Sequence, residues 1–144
     1  MKRETKFRGK RLDNGEWEYG DLVQFGQKYY TPCKCAIIPG TASGSDTFFK
    51  VLLDNEVDPA TVGEYTGLKD KNGKEIYEGD VIRSPLSEDK TRPHRIFYHT
   101  GNAAFMGALV DRKELCYLRL DQDWIYKFEK EVIGNIHDHK YLLK

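Results

Sequence analysis

The sequence has no net charge: 23 Lys and Arg balance 23 Asp and Glu. That balance excludes a protein held to nucleic acid or to an anionic membrane by bulk charge, and it leaves only local patches for such work. No apolar run approaches the ~20 residues that a membrane helix needs. The opening, M-K-R-E-T-K-F-R-G-K-R-L, is charged from Lys2 onward and never reaches the apolar core of a secretory leader. Cysteine is scarce and odd in number (Cys33, Cys35, Cys116), which predicts reduced thiols rather than a disulfide framework. Together these absences predict a protein of the cytoplasm that contacts no membrane. G-x-S-x-G, the P-loop and H-E-x-x-H are also missing, so the nucleophile elbow, the phosphate cradle and the zinc-protease helix have no carrier.

What is present is the composition of a folded chain. With 144 residues, 39% hydrophobic and 32% charged, it can bury roughly 68–70% of its unfolded surface without a covalent staple. The densest turn chemistry lies at 62–82, V-G-E-Y-T-G-L-K-D-K-N-G-K-E-I-Y-E-G-D-V-I. Asn72-Gly73 predicts a two-residue type I′ hairpin, in which both central residues need positive φ. Gly79-Asp80 punctuates the chain again before Val81-Ile82. Asn14-Gly15, then Gly20-Asp21 before Leu22-Val23, echo that order. The echo is either an internal repeat or convergent turn grammar.

Elsewhere, 29–38 reads as a strand kept to an edge or a bulge by Pro32, 39–46 as a loop, and 47–53 as a short strand. Asp58-Pro59 reads as a cap for a helical turn over 60–62. Strands are expected at Asp80–Arg83, His94–His99, 115–120 and 131–136, the last with a bulge at Gly134. Between them fall a polar loop at 84–93, a bend of small residues at 101–107 and a turn at 121–123 leading into 124–128; a final helical turn is expected at 139–143. The spacing predicts a mainly β, small barrel-type architecture. A smaller N-terminal β subdomain (1–57) precedes a larger one (58–144), with the boundary at 54–60.

Three blocks of the sequence carry a resemblance. V-D-P-A-T-V-G-E-Y-T-G-L-K-D-K-N-G-K-E-I-Y-E-G-D-V-I, the opening K-F-R-G-K-R-L-D-N-G-E-W-E-Y-G-D-L-V and the closing E-V-I-G-N-I-H-D-H-K-Y-L-L together resemble the YopX-like phage and prophage protein family. The resemblance implies a small SH3-like β-barrel and a phage or prophage origin. It carries no catalytic residue over to this chain and leaves the mechanism open.

The residues offer several candidate sites, each with a plainer reading beside it. Lys2, Arg3, Lys6, Arg8, Lys10 and Arg11, interleaved with Phe7, could lie along phosphates and stack a base; equally, they could be a solvated strand whose charges discourage edge pairing. Trp17, Tyr19, Tyr65, Tyr77 and Trp124 are candidate anchors for a protein partner, or else core residues. Cys33-x-Cys35 with His94, His99, His137 and His139 lacks finger-like spacing, so no metal and no cofactor are expected. Asp21 and Asp80 each follow a turn glycine, which explains them without acid–base catalysis. The expected function is therefore non-enzymatic binding of another macromolecule, in a protein-interaction or assembly role. Its partners would be a phage or host protein and a second copy of the chain. A nucleic-acid-binding accessory protein is the alternative, and an enzyme of unknown reaction the third.

Overall fold

The computed structural model describes residues 3–25, 34–40, 48–85, 93–110 and 117–143. The chain divides into two compact units, Met1–Glu64 and Tyr65–Lys144, with the boundary along the sequence inside the strand Gly63–Lys69. Both are built mainly from antiparallel strands.

In the first unit β1 (Phe7–Lys10), β2 (Trp17–Gln24) and β3 (Cys35–Ile38) lie in the order β3-β2-β1, and the start of β4 (Gly63–Lys69) pairs with β1. The basic segment is thus an inner strand and not an edge. Side chains alternate across a pleated sheet, and the register Phe7↔Gly20, Leu22↔Ile37 sorts them into two faces. One face gathers Phe7, Leu22, Cys35, Ile37, Val57 and Val62. On the other, Val23, Ala36 and Ile38 pack against Leu52 of helix α1 (Phe48–Asp54). The strand expected at 47–53 is this helix. The run F-F-K-V-L-L-D satisfies a helical as well as an extended period, and the Asn55 side chain donates to the Val51 carbonyl at 2.8 Å at the helix end. A 3₁₀ turn at Pro59–Thr61 follows, capped by the Asp58 carboxylate, which accepts the Ala60 N–H at 3.0 Å as expected for Asp-Pro.

The echo between the halves does not extend to the glycines. Gly20-Asp21 lies inside one continuous strand, where an added Cβ would stand 2.1 Å from the Ile38 carbonyl oxygen; the glycine there permits close approach of two backbones. Gly79-Asp80 instead closes a real turn, with the buried Asp80 carboxylate accepting the Tyr77 N–H at 2.8 Å.

In the second unit the remainder of β4 pairs with β5 (Glu75–Tyr77). A five-stranded sheet then runs β10-β6-β7-β8-β9, with β6 at Asp80–Arg83, β7 at His94–His99, β8 at Ala104–Leu109, β9 at Tyr117–Arg119 and β10 at Glu131–Asn135. Among the described residues neither ladder returns to its first strand. Helix α2 (Gln122–Lys127) covers one face, where Ile76, Ile82, Ile96, Leu120 and Ile125 form the core. The expected bulge at Gly134 is present as a register shift between Val132 and Gly134. The bend expected at 101–107 is confined to a 3₁₀ turn at Thr100–Asn102; beyond it β8 pairs along its whole length with β7.

The Asn72-Gly73 turn is not type I′. Gly73 has φ +83°, but Asn72 is not among the residues of positive φ. The Gly73 N–H donates to the Asp70 carbonyl at 3.0 Å and the Asp70 N–H to the Lys74 carbonyl at 2.8 Å. This is a three-residue loop, a type I turn closed by glycine in the left-handed region.

Candidate binding face

The residues singled out from sequence are distributed as follows, with Lys2 outside the described residues. Arg3 pairs with Glu64 at 2.8 Å and Lys6 with Glu4 at 3.2 Å. Arg11 donates to Asp13 at 2.7 Å and to Glu18 at 2.8 Å. Those two hydrogen bonds hold its guanidinium well above the usual range, and the Arg11 hydrogen bond in turn lowers the Asp13 carboxyl. Arg8 is buried, its guanidinium 4.5 Å from the Trp17 ring, with the Lys10 ammonium 5.7 Å from the same ring. Cations engaged by carboxylates or by a tryptophan have already exchanged water for a protein partner, so they have less to gain from a phosphate.

Of the aromatic anchors, Tyr65 and Tyr77 are buried and pack ring to ring at 5.5 Å. Trp124 lies on α2, with the His94 ring edge-on at 5.8 Å and the Lys130 ammonium at 4.6 Å. Tyr19 remains exposed. Cys35 is buried and its thiol donates to the Val57 carbonyl at 3.5 Å; Cys33 and Cys116 lie outside the described residues. Among the described residues no three His, Cys, Asp or Glu side chains gather as metal ligands would.

A different surface stands out in the second unit. Strands β7 (H-R-I-F-Y-H), β8 (A-F-M-G-A-L) and β9 (Y-L-R) contain two arginines and two histidines but no carboxylate. The register Phe97↔Met106↔Arg119, with Arg95↔Ala108 and His99↔Ala104, places Arg95, Phe97, His99, Ala104, Met106 and Arg119 on one face. The opposite face carries Ile96 and Phe105, which belong to the core around α2. On the first face the Arg95 guanidinium lies 5.5 Å from the Phe97 ring, and the Phe97 and His99 rings meet edge-on at 6.1 Å. The small side chain of Ala104, beside Asn102, Met106 and Arg119, leaves a hollow of about 330 Å³. That is the lower end of the range for ligand pockets. Arg119 is exposed, and among the described residues it forms no ion pair or hydrogen bond.

The sequence contains a signal for this face: from Lys90 to Val110 there is no Asp or Glu, in a chain with 23 of them. Reading 101–107 as a bend hid it, because the pairing of β8 between β7 and β9 is what assembles the surface.

The fold therefore defines a mainly β protein of two antiparallel sheets carrying a cationic and aromatic sheet face. The family model described as YopX protein matches residues 6–144, and the chain belongs to that family. It is also similar to the crystal structure of protein EF1440 from Enterococcus faecalis, with 28% identity, a TM-score of 0.61, and coverage of 99% of this chain and 100% of that one. No curated protein matches.

Proposed function

We propose that the protein acts without catalysis, by binding another macromolecule in the cytoplasm of a bacterial host, as a phage or prophage product. The observation that carries this reading is the β7-β8-β9 face, where Arg95 and Arg119 flank Phe97, His99 and a hollow with no carboxylate on any of the three strands. Such a surface lacks the acid–base pairs of hydrolytic chemistry, yet it has the Arg and aromatic composition typical of recognition surfaces. The SH3-like barrel implied by the family resemblance belongs to the same proposal, and the five-stranded antiparallel sheet of the second unit supports it.

The test uses the tagged full chain expressed in phage-infected bacteria, beside the charge-reversed variant R95E/R119E. The wild type should retain a specific partner that the variant loses. Equal recovery by both would overturn this surface, and a turnover activity in the purified wild type would overturn the non-enzymatic reading. Self-association belongs to the proposal as well: β9 and β10 each end a sheet order, and a neutral chain offers little mutual repulsion.

A further inference from the structure

We infer that the occupant of the β7-β8-β9 face is a single-stranded nucleic acid. This inference rests on the binding role proposed above and names its partner. Single strands are held by a cationic surface that tracks the backbone together with aromatic rings on which unpaired bases stack. Both parts are present on adjacent strands, which lie about 4.8 Å apart. Arg95 stands over Phe97, a cation–π pair whose guanidinium plane can continue a stack of bases. One strand beyond Met106, Arg119 lines the hollow with no carboxylate to neutralise it among the described residues. The hollow is lined by Met106, Ala104 and Asn102, whose amide nitrogen donates to the Met106 sulfur at 3.5 Å. A mostly apolar lining that includes an amide suits one planar base better than a bare phosphate.

A duplex keeps its bases stacked on one another, so the rings would have nothing to hold. An acidic peptide would satisfy the arginines but would not stack on the Phe97 and His99 rings. The surface supplies two arginines in a chain of zero net charge, so binding should be modest and depend only gently on salt. Two phosphate contacts to a single strand give a slope of about −1.4 in log K against log salt, or about 25-fold weakening over a tenfold rise in salt.

The experiment is fluorescence anisotropy of the full chain with labelled oligothymidylate and oligouridylate of about ten nucleotides. It is run in low and high salt against the wild type, Arg119→Glu, Arg95→Glu and Phe97→Leu. Thermal melts by circular dichroism check that each variant is folded; Arg119→Gln stands in if the reversal disturbs the strand. Binding by the wild type with that gentle salt slope, weakened about tenfold or more by Arg119→Glu and left intact by excess duplex, supports the inference. No binding at the lowest salt overturns it, as does binding that Arg119→Glu and Arg95→Glu leave unchanged. Competition by polyglutamate equal to that by the oligonucleotide overturns it too, in favour of an acidic peptide. If the oligonucleotides fail while R95E/R119E still loses its captured partner, the nucleic-acid inference falls and the binding role stands. If that capture is also indifferent to the variant, both fall.

Discussion

A single buried carboxylate orders the hairpin in the second unit. Asp70 is 1% exposed; one of its oxygens accepts the N–H groups of Asn72 and Lys74 at 2.8 and 2.9 Å, and the other accepts that of Val132 at 3.0 Å. It thus shapes the turn and ties it to the start of β10. Asp70→Ala would leave three donors short of an acceptor, and should destabilise by about 2–4 kcal/mol in denaturant melts, whereas Asn72→Ala should stay within about 0.5 kcal/mol. Equal effects would remove Asp70 from this role. At Gly73, φ +83° with open space around the Cβ position makes backbone strain the whole penalty, so Gly73→Val should destabilise by about 1–3 kcal/mol. The opposite sign is expected at Glu129, which ends α2 with φ +48°. The Lys130 N–H reaches the Ile125 carbonyl and the Glu129 N–H the Tyr126 carbonyl, the bond pattern of a helix end that glycine usually completes. Glu129→Gly should stabilise by about 0.5–1 kcal/mol, measured by the same melts.

At the scale of elements, local chemistry was legible wherever a side chain settles the backbone by itself. Asp58-Pro59 announced its 3₁₀ turn, Gly134 its bulge, and the boundaries of β6 and β7 followed from the punctuation around them. The failures share a cause, which is that a partner decided the outcome. The segment Phe48–Asp54 buries Leu52 against β3 as a helix. The small residues of β8 have weak strand preference, but ladders on both sides override it. Asn72-Gly73 was read as the turn centre because Asp70, three residues before the glycine, shows its importance only once Val132 arrives beside it. At helix α2 the reading of 121–123 as a turn missed a helix, since Asp121 caps it and Gln122 and Asp123 are its first residues. The Asp121 carboxylate accepts the Trp124 N–H at 2.7 Å, and the Gln122 amide exchanges two hydrogen bonds with the Lys69 backbone, at 3.0 and 2.7 Å. Asp121→Ala should destabilise by about 1 kcal/mol and shift the Trp124 fluorescence; an unchanged melt and spectrum would deny the cap its role.

For the molecule as a whole, zero net charge conceals segregation. Arg3, Lys6 and Arg11 in the first unit stand within 3.2 Å of carboxylates, while Arg95 and Arg119 sit on strands that have none. Counting charges along the sequence pointed to the N-terminal segment because six cations cluster there. Two cations placed by register on a sheet face become visible only when the strands are assembled. The candidate anchors divide in the same way, since an aromatic side chain reads alike in sequence whether it is buried, as Tyr65 and Tyr77 are, or exposed, as Tyr19 is. Light scattering across a concentration series should reveal a species larger than the 16.7 kDa chain; a monomer at every concentration would remove self-association from the account.

The central claim is that the working surface is the β7-β8-β9 face and not the basic N-terminal segment. Its most direct measurement is a two-dimensional ¹H–¹⁵N spectrum of the full chain titrated with a short oligothymidylate. Chemical-shift changes concentrated on Phe97, His99, Ala104, Met106 and Arg119 are the predicted result. Changes concentrated instead on Arg8, Lys10, Trp17 and Tyr19, with the β7-β8-β9 resonances unmoved, would contradict it.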